Sequence, residues 1–152
     1  MYAHILLAVD GSEPSLRAAR HGIALARALG ARVTIATVTT PWAVQFAREP
    51  AVIVPEVIVP ENDYELRTKA AAASLLRSVA DMAQYARVEC GTLHCRHRDP
   101  YQAIVDAAAK ERCDLIVVGS HGRRGIAGVL LGSVATKVIN HSTLPVLVCR
   151  GN

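Results

Sequence analysis

The sequence predicts an α/β protein with an open parallel sheet covered by helices on both faces. Three observations predict it. Short apolar runs alternate with helically spaced apolar positions along the chain, and right-handed strand–helix–strand crossovers place helices outside a parallel sheet. The runs Ile5 to Val9 and Leu115 to Val118 are apolar at every position, as strands buried on both faces require. Asp10 and Gly119 each close such a run, at the carboxyl ends of strands where open sheets take ligands. They border one crevice if the first and fourth strands are neighbours, as an order of 3-2-1-4-5 requires.

Each element has a local reason. His4 to Val9 reads as the first strand, and Asp10 to Ser15 as a turn into a helix that runs to about Leu29 and stops at Gly30. Val33 to Val38 is the second strand. The apolar positions Ala72, Ala73, Leu76, Val79, Ala80 and Ala83 recur at helical spacing, with Arg77 beside the stripe, and form the second helix. Val88 to Cys95 alternates loosely as the third strand, and Asp99-Pro100 starts a helix over Tyr101 to Lys110. Asp114 to Gly119 is the fourth strand, Ser133 to about His141 the last helix, and Pro145 to Cys149 the fifth strand.

Composition narrows the function classes. The 152 residues are 51% hydrophobic, enough for a full core, and the length suits one domain over 1–152. There is no apolar stretch of membrane-spanning length, and Met1 to Ile5 runs straight into a strand without a basic leader. The expectation is a cytoplasmic protein that does not bind membranes. The net charge of +4 is spread out, and one Phe and one Trp do not make a nucleic-acid face. In a reducing compartment all four cysteines are expected as free thiols. Cys90, His94, Cys95 and His97 cluster, but His94 and Cys95 point to opposite faces of a strand, and no CxxC pair is present. A metal site is not expected there.

The most informative segment runs from Val118 to Ala135. Gly119, Gly122, Gly132 and Ser133 fit the spacing G-x2-G-x9-G-S between a buried strand and a helix. Glycines allow close backbone approach and let successive amides face one concavity, while the helix start adds free N–H groups and a positive dipole end. Arg123 and Arg124 either meet phosphate or face solvent, and no acidic residue follows Gly119. The ligand expected is a nucleotide. Asp10 either meets that ligand or caps the first helix through Ser12 or Glu13, two compatible roles. His121 has no carboxylate near it in sequence to orient its ring and is expected to be structural or solvent-facing.

These segments together resemble the universal stress protein family of the nucleotide-binding type. The likeness is carried by Ile5 to Ser12, by Asp114 to Gly122, by the long glycine spacing and by Leu144 to Val148. It implies a five-stranded sheet ordered 3-2-1-4-5, like that of adenine nucleotide alpha hydrolases, and ATP as ligand, accompanied by Mg or Mn where a metal is used. By the same resemblance Ala8 and Val9 would line the base pocket, Asp10 would contact the nucleoside, and Val38 would place its backbone on the adenine. Val118, Gly119 and Gly122 would flank the ribose and first phosphates, and Gly132, Ser133 and Val134 would hold the remaining phosphates; Arg123 is added to these as a candidate from its charge in the loop. Ala135 stands where related binders offer a hydroxyl. A homodimer through the Pro145 to Cys149 strand is also implied.

The catalytic expectation is negative. The loop lacks a Walker lysine, GxGxxG is absent after the first strand, and Asp10 is the obvious acid nearby. The first reading is an ATP-binding regulatory protein of the stress response with little or no hydrolysis. A slow ATPase or nucleotidyl-transfer enzyme, and a nucleotide-free dimeric interaction protein, are the alternatives. Pro41 to Asn62, with Trp42, Phe46 and four prolines, reads as a flap over the nucleotide or as a subunit contact, the latter preferred because a mobile lid would expose its apolar surface.

Overall fold

Strands that are apolar at every position need cover on both sides, and the fold supplies it. The computed structural model describes residues 1–47, 59–121 and 131–150. In chain order the elements are β1 (His4–Ala8), α1 (Glu13–Leu29), β2 (Arg32–Thr39), α2 (Trp42–Ala47), α3 (Glu61–Tyr85), β3 (Cys90–Arg96), α4 (Pro100–Lys110), β4 (Leu115–Gly119), α5 (Ser133–His141) and β5 (Val146–Cys149). All five strands pair in parallel in the order β3-β2-β1-β4-β5, as expected from sequence.

Alternation along β1 divides the interior into two layers. Ile5 and Leu7 face α1 and α3 with Ile23, Ile35, Val79 and Val117. Leu6 faces α4 and α5 with Ile104, Ile116 and Val138. Ile5, Leu6 and Leu7 are all fully buried, which is why the run cannot alternate with polar residues.

Two parts of the chain differ from the sequence expectation. The helix marked by the Ala72 to Ala83 stripe begins at Glu61, and none of its first eleven residues is buried. Core contact therefore marks only its second half, and Ala73 of that stripe is exposed. The short helix α2 lies within the 41–62 excursion, where no helix was anticipated. The rings of Trp42 and Phe46 lie 5.3 Å apart and tilted at 46°, and Phe46 meets Tyr64 on α3 edge-on. The Trp42 indole N–H donates to the Val59 carbonyl at 2.9 Å, and the Tyr64 hydroxyl to the Thr40 carbonyl at 2.7 Å. These contacts hold the two described ends of the excursion against α3. Residues 48–58 lie outside the described residues.

Gly91 gives a stability prediction. It sits inside edge strand β3, and a Cβ there would meet only Thr34 Oγ1, at 4.0 Å. Gly91→Ala is expected to stabilise the protein by about 0.4–1 kcal/mol, because it restricts the unfolded chain at little cost to the folded one. Urea unfolding checks this, and a lower midpoint would refute it.

His4 gives a pH prediction. It is 6% exposed at the foot of β1, with its Nε2 2.8 Å from Thr34 Oγ1. Burial, then the Arg32 guanidinium, lowers its pKa below 6.5, outweighing the Glu111 carbonyl and the Glu111 and Asp114 carboxylates. Between the lowered value and 6.5 the unfolded chain binds a proton that the folded chain does not. Stability from this residue is therefore complete above pH 6.5 and declines as pH falls toward the lowered value. Denaturant titrations between pH 7.5 and about 5 should show this slope in the wild type and a shallower one in His4→Gln.

Candidate functional site

The carboxyl ends of β1 and β4 are neighbours in the sheet, with Leu7 registered on Val117. After β1 the chain turns sharply. The Ser12 amide and hydroxyl both donate to Asp10 Oδ1, at 2.9 and 2.5 Å, and Gly11 takes φ 83°. Ser12 then caps α1 by accepting from the Ser15 amide at 3.3 Å. Asp10 thus acts in capping one step removed, by fixing the cap residue rather than by being it. Ser15, buried, accepts the Asp10 amide at 3.2 Å and donates its hydroxyl to the Ser12 carbonyl.

Gly119 ends β4 directly against this turn. A Cβ at Gly119 would stand 2.9 Å from the Pro14 carbonyl carbon and oxygen and 3.0 Å from the Ser15 nitrogen. Its glycine identity is demanded by the main chain of α1, whatever else approaches it. The close approach also sets the start of α1 beside the end of β4.

Ser120 was not singled out in the sequence, and it organises the other wall. It is 2% exposed; its amide donates to the Cys149 carbonyl at 2.9 Å, and its carbonyl accepts from the Gly132 amide at 2.6 Å. One residue therefore joins the ends of β4 and β5 to the start of α5. Its Oγ lies 3.0 Å from His121 Nδ1. The signal in the sequence was a hydroxyl residue directly after an apolar strand, between Gly119 and Gly122; its burial came only with the fold.

The start of α5 has the chemistry of an anion site. Its N-cap is Gly132, at φ −68° and ψ 159°, with no side chain to cap the helix. The Gly132 amide is engaged by Ser120, and the Thr136 amide and hydroxyl both return to the Gly132 carbonyl at 3.0 Å. The amides of Ser133 and Val134 have no partner among the described residues. An anion here would meet these two N–H groups and the Ser133 hydroxyl at the positive helix end. The α1 start, by contrast, is already capped by Ser12.

The other sequence candidates divide by side chain. Ala8, Val38 and Val134 are half-buried members of one apolar cluster on the α4/α5 side of the sheet. β2 runs three residues past Ala36, its last partner on β1, so Val38 rises beside the end of β1. Val9 and Val118 are each 4% exposed and belong to opposite core layers, which leaves their main chain as the part able to meet a ligand. Ala135 is 3% exposed within the α4/α5 layer. Packing accounts for its small side chain, and its methyl faces the core. Gly122, Arg123 and Arg124 lie outside the described residues.

The thiols, and the histidines His94 and His97 near Cys90 and Cys95, have ordinary surroundings. Burial raises the pKa of all four cysteines, that of Cys113 to about 11, so each is a poor nucleophile near neutrality. His94 Nε2 is 2.8 Å from Thr39 Oγ1, and His97 Nδ1 accepts from the Asp99 amide at 2.9 Å. At the far edge of the sheet, Leu147 of β5 is 38% exposed. Among the described residues no helix is long and apolar enough to cross a membrane.

Comparison with known proteins gives this geometry a family. The model of the universal stress protein family matches residues 1–150. Universal stress protein MJ0531 of Methanocaldococcus jannaschii is 34% identical over 99% of this chain and 83% of its own length. Among solved structures, protein MJ0577 superposes with a TM-score of 0.82 at 25% identity, covering 100% of this chain and 98% of that one. A universal stress protein solved in complex with cAMP superposes with a TM-score of 0.67 at 28% identity, over 98% of this chain and 97% of its own. With a family match across nearly its whole length and a fold shared with these structures, the chain belongs to the universal stress protein family.

Proposed function

We propose that this protein is an adenine-nucleotide-binding regulator of the stress response, holding ATP in the crevice over β1 and β4 with little or no hydrolysis. The observation that carries this reading is the start of α5, which has no side-chain cap and where the Ser133 and Val134 amides have no partner among the described residues, together with the absence of any acidic residue after Gly119 in the sequence. The cAMP complex of a relative at 28% identity supports an adenine nucleotide as the ligand class.

In this reading the terminal phosphates rest on Ser133 and Val134, with Gly132 shaping the helix start and Gly122 and Arg123 serving the phosphates from the connecting segment. Gly119 and Val118 approach the ribose through main chain. Asp10 meets the nucleoside while keeping its turn with Ser12. Val9 contributes main chain, and Ala8 and Val38 form the apolar wall for the base. The residues fit an anion better than a metal-bound catalyst. Among the described residues no group of three His, Cys, Asp or Glu side chains could hold a metal ion, so Mg or Mn would be carried by the phosphates. Binding, without a positioned base, is what these groups do best.

The same reading takes the chain as one domain and a cytoplasmic homodimer. β5 is an edge strand with an exposed leucine, a surface suited to pairing with a second copy.

The test is to denature the purified protein and identify any released nucleotide by mass spectrometry, then to incubate refilled protein with ATP and magnesium. Stoichiometric ATP with no ADP or AMP formed over hours supports the proposal. Steady product release would establish an enzyme instead. Failure to bind any adenine nucleotide would leave a dimeric interaction protein.

A further inference from the structure

At the end of the sheet opposite the crevice lies a cavity of about 360 Å³, between the end of α1, the starts of β2 and β3, and the end of α3. Three arginines line it: Arg27 from the last turn of α1, Arg32 from the first residue of β2, and Arg87 from the turn after α3, all exposed. The one carboxylate on its wall is Glu89. No ion pair or side-chain hydrogen bond engages Arg27, Arg32, Arg87 or Glu89 among the described residues. Arg17, Arg20, Arg96 and Arg98, which do have carboxylates in reach, all pair with them.

A simpler role for these arginines would be to satisfy the carbonyl ends of α1 and α3, where cations are favoured. The backbone already does much of this. The Gly30 and Ala31 amides donate to the Arg27 and Ala26 carbonyls, and the Ala86, Arg87 and Val88 amides to those of Met82, Gln84 and Ala83. The guanidinium donors are thus left to water or to a ligand. They come from three separate elements, and each presents a planar fork suited to an oxyanion.

We propose that Arg27, Arg32 and Arg87 form a second anion site, distinct from the nucleotide crevice, for a small multivalent oxyanion of the pyrophosphate or tricarboxylate class. Three arginines against Glu89 on the lining, and Asp114 bonded to Ala3 beside it, leave a positive surplus that favours an anion, and three arginine forks suit a ligand with several oxyanion groups; the cavity volume admits a molecule of that size. The site is open to solvent, so its binding is salt-dependent.

Arg87 allows a test that spares the fold. It occupies φ 59°, a left-handed conformation that glycine adopts without strain, so Arg87→Gly removes the guanidinium and relieves the backbone. Inorganic pyrophosphate and citrate are titrated separately into 15N-labelled protein at low salt. The wild type, Arg87→Gly and Arg27→Gln/Arg32→Gln are compared, with thermal unfolding as a check on each. The expected result is saturable shifts at the amides of Arg27, Ala31, Arg32, Val88 and Glu89. Affinity should fall about tenfold for each guanidinium removed, with ATP-induced shifts at Ser133 and Val134 unchanged. Saturation by pyrophosphate alone assigns the site to phosphates, by citrate alone to carboxylates, and by both to multivalent anions in general. Shifts confined to the Gly119 and Ser133 region, undiminished binding in the folded arginine variants, or no saturation by about 10 mM of either anion would overturn the proposal.

Discussion

Gly132→Asp is expected to fold as well as the wild type and to lose the adenine nucleotide proposed for the crevice. Gly132 is the N-cap of α5 with extended backbone angles and no positive φ, a conformation that aspartate adopts readily and a position where it ranks above glycine. Its carboxylate can accept the first-turn amides and sits at the favourable end of the dipole, so the nucleotide-free fold should gain a few tenths to about 1 kcal/mol. That same carboxylate takes the donors a phosphate would use and repels its charge. Affinity for ATP should fall by about 100-fold, equivalent to about 2.7 kcal/mol. Calorimetric titration with ATP checks the loss, and thermal unfolding of the emptied proteins checks the fold. A variant that melts normally and still retains stoichiometric nucleotide would show that the phosphates do not rest on α5. Opposite signs for stability and binding are what separate a ligand site from a structural one.

Gly119→Ala should behave in the other way, damaging the fold first. The added carbon would lie 2.9 Å from the Pro14 carbonyl group and 3.0 Å from the Ser15 nitrogen. All three are backbone atoms, so no side-chain rotation relieves the contact. Overpacking of this kind costs about 1–3 kcal/mol, and the strain falls on the turn in which Ser12 caps α1 and binds Asp10. Urea unfolding should show the loss, with Gly91→Ala as the contrasting open position. Weaker nucleotide binding would follow, because the Asp10 turn and the end of β4 are positioned by the same contact. Wild-type stability in Gly119→Ala would mean that α1 can move away from β4 freely, contrary to the packing described.

The functional assignment depends on how these two glycines differ. The sequence presents both as members of one phosphate-binding pattern. Gly119 is glycine because another helix touches it, and Gly132 has the backbone of an ordinary N-cap with its amide engaged by Ser120. Asp10 likewise combines a turn-forming role, seen in its bonds from Ser12, with the nucleoside contact proposed for it. Ala135, absent a hydroxyl, reads from sequence as a missing ligand contact; its 3% exposure makes it part of the core. For the two glycines and Ala135 the residue type alone was ambiguous, because close packing and close ligand approach ask for the same small side chain, and for Asp10 because one carboxylate serves a turn or a ligand equally well.

The strands, the helices flanking them and the parallel sheet were legible in the sequence because they rest on local periodicity. Every position of Ile5 to Leu7 is buried, and alternation on a sheet covered twice leaves no polar face to interrupt the run. The αL stop at Gly30 and the cap at Ser12 are equally local. The family likeness rested on short segments that stay contiguous in the chain. What only the tertiary structure decided depends on residues distant in sequence. Ser120 gains its role from Cys149 and Gly132, and Gly119 from Pro14. Helix α3 extends well before its buried stripe, with Tyr64 on α2 and Thr40 rather than on the sheet core. Arg27, Arg32 and Arg87 become a cluster only when the ends of two helices and the starts of two strands meet. Periodicity reports which face of an element is buried, whereas the identity of the atoms across that face is set by the packing of the whole chain.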